Sequence, residues 1–136
     1  MPITRLGLGA LTQGAIGLGT FKAYCSTGAT MVVGTSTAAH SATSSYLGTP
    51  ATLGLSTMDS GYPTISAFTA TSTNHTLTYR ATFTACQANA ALGEIGIYNA
   101  TASGTDGILL NRYPDALGTK TCAQSWQLSV VFTLTT

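Results

Sequence analysis

The stretch Leu77–Cys86, LTYRATFTAC, alternates with period two. Leu77, Tyr79, Ala81, Phe83 and Ala85 fall on one side; Thr78, Arg80, Thr82 and Thr84 fall on the other. Successive side chains of an extended chain point to opposite faces, so this pattern describes a strand with one buried face. Ser125–Thr136, SWQLSVVFTLTT, repeats it, with Trp126, Leu128, Val130, Phe132 and Leu134 opposite Gln127, Ser129, Val131, Thr133 and Thr135. Apolar runs at Ile95–Tyr98 and Ile108–Leu110 lie between these two segments and complete the expectation of one antiparallel sheet. A sheet with one apolar face needs a second layer. The fold class expected is therefore all-β, an antiparallel β-sandwich of jelly-roll-like or immunoglobulin-like type. Tyr79, Phe83, Trp126 and Phe132 are its expected core anchors.

Outward from these strands the chain is less regular. ATMVVGT, Ala29–Thr35, reads as a short strand. Ser36–Pro63 is rich in Ser, Thr and Gly, contains Pro50 and Pro63, and reads as a long structured loop. In residues 1–29, Leu6, Leu8, Leu11 and Ile16 have a helix-like spacing, while Gly7, Gly9, Gly14, Gly17 and Gly19 oppose a long helix. The expected organisation is an N-terminal arm or short helix over 1–29 and a β-sandwich domain over 30–136.

Composition narrows the function classes. The 136 residues suit one domain, and only 7% are charged against about 25% in ordinary globular proteins. Threonine fills much of the gap, at roughly one residue in five, and its β-branched side chain suits a pleated, half-buried surface. A formal net charge of +1 gives no electrostatic footprint for nucleic acid and no polybasic patch for a membrane. Near-zero net charge promotes association, which points to a chain that works inside an assembly. The Gly-studded run after Arg5 lacks a clean apolar core with a small-residue cleavage site, so it does not read as an export signal. Cys25, Cys86 and Cys122 form no CxxC or short metal spacing. A disulfide with one thiol left over is one reading; three small buried thiols is the reading preferred.

Catalytic patterns fare badly. His40 and His75 sit in Ser/Thr-rich surroundings with no neighbouring acid or cysteine, and His40, His75 and Asp59 show no recurring ligand spacing. Gly7-Leu8-Gly9 lacks the third glycine of a dinucleotide fingerprint, and no P-loop lysine follows. Neither an enzyme nor a cofactor or metal site is expected. Asn74-His75-Thr76 and Asn99-Ala100-Thr101 match the N-glycosylation pattern, as chance allows in so threonine-rich a chain. The scarce charges are more telling. Glu94 and Arg112 bound a hairpin-like segment, EIGIYNATASGTDGILLNR. Arg80 on the preceding strand could reach the same carboxylate with a bidentate fork. Arg80, Glu94 and Arg112 are thus expected to form a structural polar bracket.

Five segments carry a resemblance: Gly34–Leu47, GTSTAAHSATSSYL; Met58–Ser66, MDSGYPTIS; Leu77–Ala100, LTYRATFTACQANAALGEIGIYNA; Gly107–Arg112, GILLNR; and Leu117–Thr135, LGTKTCAQSWQLSVVFTLT. In order and spacing they resemble a family of small structural proteins of tailed bacteriophages, over about residues 31–135, with the N-terminal arm departing from the pattern. The resemblance implies a virion component without enzymatic activity. Two placements follow from it: a capsid decoration (cement) protein on the major capsid protein lattice, commonly a homotrimer, or a tail fibre or baseplate accessory protein. A cement protein buries much of its surface, so a charge-poor exterior favours capsid decoration. Arg5, Leu6, Leu8, Leu11, Ile16 and Phe21 on a reaching arm, at about 3.3 Å per extended residue, and Tyr46 in the long loop are the expected assembly contacts. A reading from another class is a glycan-binding β-sandwich, for which Tyr98, Tyr113 and Asp115 supply a thin set of groups.

Overall fold

The computed structural model describes residues 3–17, 23–66, 74–99 and 107–135. Within these residues two antiparallel sheets pack together as an all-β sandwich, and one helix packs against it on β6. The elements are α1 (Arg5–Ile16), β1 (Thr30–Gly34), β2 (Pro50–Thr57), β3 (Thr64–Ile65), β4 (Asn74–Phe83), β5 (Ala91–Tyr98), β6 (Leu109–Thr119) and β7 (Trp126–Thr135). Sheet A has the order β2-β1-β5-β6 and sheet B the order β3-β4-β7.

The two alternating segments are β4 and β7. They pair directly through an unbroken register from Asn74↔Thr135 to Phe83↔Trp126. Their apolar sides enter the core: Tyr79, Phe83, Val130 and Phe132 are buried, while Trp126 and Leu128 are half-buried against it. The single sheet expected from sequence is corrected here, because the Ile95 and Ile108 runs belong to the opposite layer. Ile95 and Ile97 of β5 face Tyr79, Phe83 and Phe132 across the common core, which also takes in Met31, Val33 and Leu110. The polar tips of the buried tyrosines are satisfied by backbone: Tyr79 donates to the Tyr24 carbonyl (3.2 Å) and Tyr24 to the Ile108 carbonyl (3.0 Å).

Sheet A is apolar on both faces. Its outer face carries a second small core of Val32, Leu47, Tyr98 and Leu109, roofed by the loop 35–49. This is why β1 and β5 read as near-continuous apolar runs rather than alternating ones. The long loop expected over 36–63 is only partly a loop, since β2 pairs with β1 within it. β2 opens on Pro50, holds Gly54, and has Leu53 at φ 53°, so propensity gives little sign of a strand.

The N-terminal segment is a helix on the body of its own chain, and not a reaching arm over residues 3–16. Ile3 bridges to Asn111, and the Thr4 N–H donates to the Leu110 carbonyl at 2.8 Å. The Thr4 hydroxyl caps α1 by accepting from the Gly7 N–H (2.9 Å) and itself donates to the Leu109 carbonyl. Gly17, in the left-handed region at φ 69°, closes the other end. The interior glycines are tolerated because the buried side of α1 is made of Gly7 and Ala10. A Cβ on Gly7 would lie 2.5 Å from the Leu110 carbonyl oxygen, so the helix approaches β6 as closely as backbone permits.

The cysteines differ from the preferred expectation of three buried thiols. Cys86 and Cys122 form a disulfide, and Cys25 is a free, exposed thiol. The bridge joins the loop after β4 to the loop before β7, which lie together because Phe83 and Trp126 are register partners. Lys120 fastens the same end. It is buried, its Nζ donates to the Thr84 carbonyl (2.9 Å) and Asn89 Oδ1 (3.4 Å), and its N–H donates to the Ala90 carbonyl (3.0 Å).

Two outcomes follow. Gly7→Ala will lower the melting temperature, because the new methyl group meets the β6 backbone, whereas Gly9→Ala will raise stability by about 1 kcal/mol, its Cβ meeting nothing within 4 Å. Burial also raises the tyrosine hydroxyls: Tyr79 is pushed up to about 12, with a smaller contribution from Cys25, and Tyr24 is raised further. A folded-state value above the ordinary value near 10 means that the unfolded chain loses its proton first. Stability is thus fully present below about pH 10, falls as pH rises from there through about 12, and can be followed by thermal melts across that range.

Candidate functional site

The polar bracket is the most highly constructed site in the chain. Glu94 lies on β5 opposite Gly34 of β1 and Pro114 of β6, and Arg112 lies opposite Gly96, so the two charges are diagonal neighbours on the outer face of sheet A. Glu94 is 0% exposed and Arg112 only 4%. Arg112 Nε donates to Glu94 Oε2 at 2.6 Å. The same oxygen accepts from the Gly48 N–H at 2.9 Å, and Oε1 accepts from the Thr49 N–H at 2.7 Å. The rest of the guanidinium is used too, with Nη1 donating to the Ala39 carbonyl (3.1 Å) and Nη2 to Ser36 Oγ (3.2 Å).

Apart from the ion pair itself, each of these bonds ends on the loop 35–49. One residue earlier, the Leu47 N–H donates to the Tyr98 hydroxyl at 3.0 Å. Three successive loop amides, at 47, 48 and 49, are therefore caught by two side chains of β5. Burial raises the Tyr98 hydroxyl above its ordinary range, with Glu94 adding a smaller push in the same direction, which keeps the hydroxyl neutral. Gly34 makes room for the carboxylate: a Cβ there would lie 2.5 Å from Glu94 Oε1. The Arg5 N–H donates to the Ala42 carbonyl at 2.9 Å, tying the loop to the start of α1 as well.

The geometry is that of a fastener. Both carboxylate oxygens have donors, and the guanidinium has acceptors at all three nitrogens. A buried pair with its remaining valences satisfied this way holds its surroundings in one arrangement.

Arg80 is not part of the bracket. It lies on β4 in the other sheet, where Nε meets Asp59 Oδ2 at 3.1 Å and the guanidinium carbon sits 4.1 Å over the Tyr62 ring. Asp59 Oδ2 also accepts from Thr82 Oγ1 (3.2 Å) and Gln127 Nε2 (3.1 Å). Sequence spacing placed Arg80 near Glu94 only on the premise that all four strands share one sheet. With both groups partly exposed, this pair is worth about 0–1 kcal/mol.

The expected assembly contacts divide. Arg5 and Tyr46 are exposed, as are Leu6, Leu8 and Ile16 at 53%, 55% and 68%. Leu11 instead packs partly buried against the main core, and Phe21 lies outside the described residues. The glycan set does not gather on one face: Tyr98 is buried under the roof, while Tyr113 and Asp115 are exposed on β6. His75 is buried on β4 and His40 is in the roof loop. Among the described residues no group of three or more His, Cys, Asp or Glu forms a metal-binding cluster, and no helix is long and apolar enough to cross a membrane.

Sequence reasoning missed Asn111 and Lys120. Asn111 Oδ1 accepts from the Ile97 N–H at 3.1 Å inside the sheet. Lys120 stands in a turn-like LGTKT stretch that reads as surface. Scarcity is the usable signal, since Lys22 and Lys120 are the only lysines in the sequence.

The arrangement defines a class: a charge-poor antiparallel β-sandwich whose outer sheet face is roofed by a loop bolted to a buried ion pair. No family model matches the chain, and no curated protein or solved structure matches it.

The bracket is tested by truncation. Glu94→Ala leaves the Arg112 guanidinium buried without its carboxylate and two loop amides without acceptors, at a cost of about 3–5 kcal/mol. Adding Arg112→Met should recover part of that loss. Urea unfolding of the single and double variants measures both, and an unchanged midpoint for Glu94→Ala would contradict the assignment.

Proposed function

We propose that this chain is a non-enzymatic structural protein of a tailed-bacteriophage virion, a decoration subunit seated on the lattice of the major capsid protein. The observation that carries the reading is where the chain spends its charge and apolar bulk. Of nine charged residues, five basic and four acidic, Glu94, Arg112 and Lys120 are buried as internal fasteners. Asp59 and Arg80 neutralise each other at the surface. Meanwhile Leu6, Leu8 and Ile16 project outward from α1, whose inward side is built of Gly7 and Ala10.

A free soluble monomer gains by the opposite arrangement, with charges outside and bulk inside. A subunit that buries its exterior against capsid and sister subunits does not. The motif resemblance over about residues 31–135 supplies the kind of assembly. The roof loop presents Tyr46, which is 58% exposed, on a support held at amides 47–49. That gives a lattice contact a fixed position and a low ordering cost on binding.

Quantitative mass spectrometry of purified virions tests this. The expected result is a copy number in simple ratio to the major capsid protein. A few copies per particle would replace decoration with a tail accessory role, and absence from the particle would overturn the virion reading.

A further inference from the structure

A β-sandwich of two open sheets has four edges, and an unpaired edge is a template for another strand. Three edges of this molecule carry the usual protections. The β3 edge is two residues long. The β2 edge begins at Pro50, carries Leu53 at φ 53° and shifts register against β1 between Val32 and Gly34. The β6 edge holds Pro114 and Asp115, has two register shifts against β5, and is covered at its start by Ile3 and Thr4.

The β7 edge has none of these. Trp126–Thr135, WQLSVVFTLT, is ten residues long, with no charge, no proline and no glycine. Its register against β4 runs through ten consecutive pairs without a shift. In an antiparallel ladder every second residue turns its N–H and C=O away from the partner strand. Among the described residues, no backbone group bonds to that outer side.

We propose that this edge pairs with β7 of a second copy, antiparallel across a twofold axis, joining two three-stranded sheets into one of six strands. Three observations favour a second copy as occupant. A twofold pairing sets a strand against its own sequence, so any charge near the centre would face its like, and β7 has no charge anywhere. With the axis at Val130, Leu128 faces Phe132 and Trp126 faces Leu134, apolar against apolar on the core side, while Ser129 faces Val131 on the other. The core-side residues also have surface left to cover: Trp126 and Leu128 are only half-buried, and Leu134 is 47% exposed. Sheet B has three strands against four in sheet A, so a strand added beside β7 equalises the layers. None of this depends on a place in a virion.

Sedimentation velocity of the purified full chain tests it, together with two variants. Wild type is expected to be a dimer. Ser129→Lys with Val131→Lys, at two exposed positions on the outward side, sets like charges across the axis. It should raise the dimer–monomer midpoint roughly tenfold or more with circular dichroism unchanged. Cys25→Ser with Ser129→Cys and Val131→Cys sets thiols at 129 and 131 directly opposite each other across the axis and should yield disulfide-linked dimers in air. A wild type that stays monomeric overturns the proposal. So does a dimer that resists both lysines, or a variant with cysteines at 129 and 131 that forms no linked dimer. A trimer, the state that the motif resemblance implies, or a larger ring would overturn it, because an isologous β7 contact closes at two copies.

Discussion

One carboxylate governs how the outer half of this molecule is arranged. Glu94 sits in the middle of a central strand, wholly removed from water, where an unsatisfied charge costs several kcal/mol. Arg112 and two loop amides satisfy it, and the other two guanidinium nitrogens of Arg112 find their acceptors at residues 36 and 39. The loop 35–49 is therefore not a passive connection. Its amides are part of the solvation shell of the buried charge, and its Leu47 closes the second core over Val32, Tyr98 and Leu109. Backbone room follows from the same demand, since no side chain larger than hydrogen fits at Gly34.

The end of the sandwich where β4 leads into β5 is fastened by different chemistry. There the Cys86–Cys122 disulfide and the buried Lys120 tie the loop after β4 to the loops flanking β6 and β7. In both places the scarce ionic groups lie inside. The surface that results is poor in charge and, on α1 and along β7, rich in uncovered apolar side chains. Such a surface is a liability for a free monomer and an asset for a subunit, so internal fastening and external association are two consequences of one allocation of residues.

The main outline of this fold was legible because β4 and β7 alternate so regularly that period alone separates their faces. Sheet membership was not legible. Period two says which side of a strand is buried but not which strands are neighbours, and the pairing of β4 with β7 is set by tertiary contacts some fifty residues apart. The helix was obscured by Gly7, Gly9 and Gly14, whose low propensity is overridden by the Thr4 cap and by close packing on β6. β2 was hidden for a similar reason, being held by its pairing to β1 despite Pro50 and Gly54. The Glu94–Arg112 pairing could be anticipated from scarcity, because two charges in an apolar hairpin need each other. The loop amides, Lys120 and Asn111 could not, since backbone partners leave no mark on composition.

The loop 35–49 is held as tightly as the core because its amides bind a buried carboxylate and a buried tyrosine. Native-state hydrogen exchange at Leu47, Gly48 and Thr49 tests it most directly. The account predicts that these three amides exchange as slowly as the β5 amides and only through global unfolding. Exchange at the rate of an open surface loop, with β5 still protected, would contradict it.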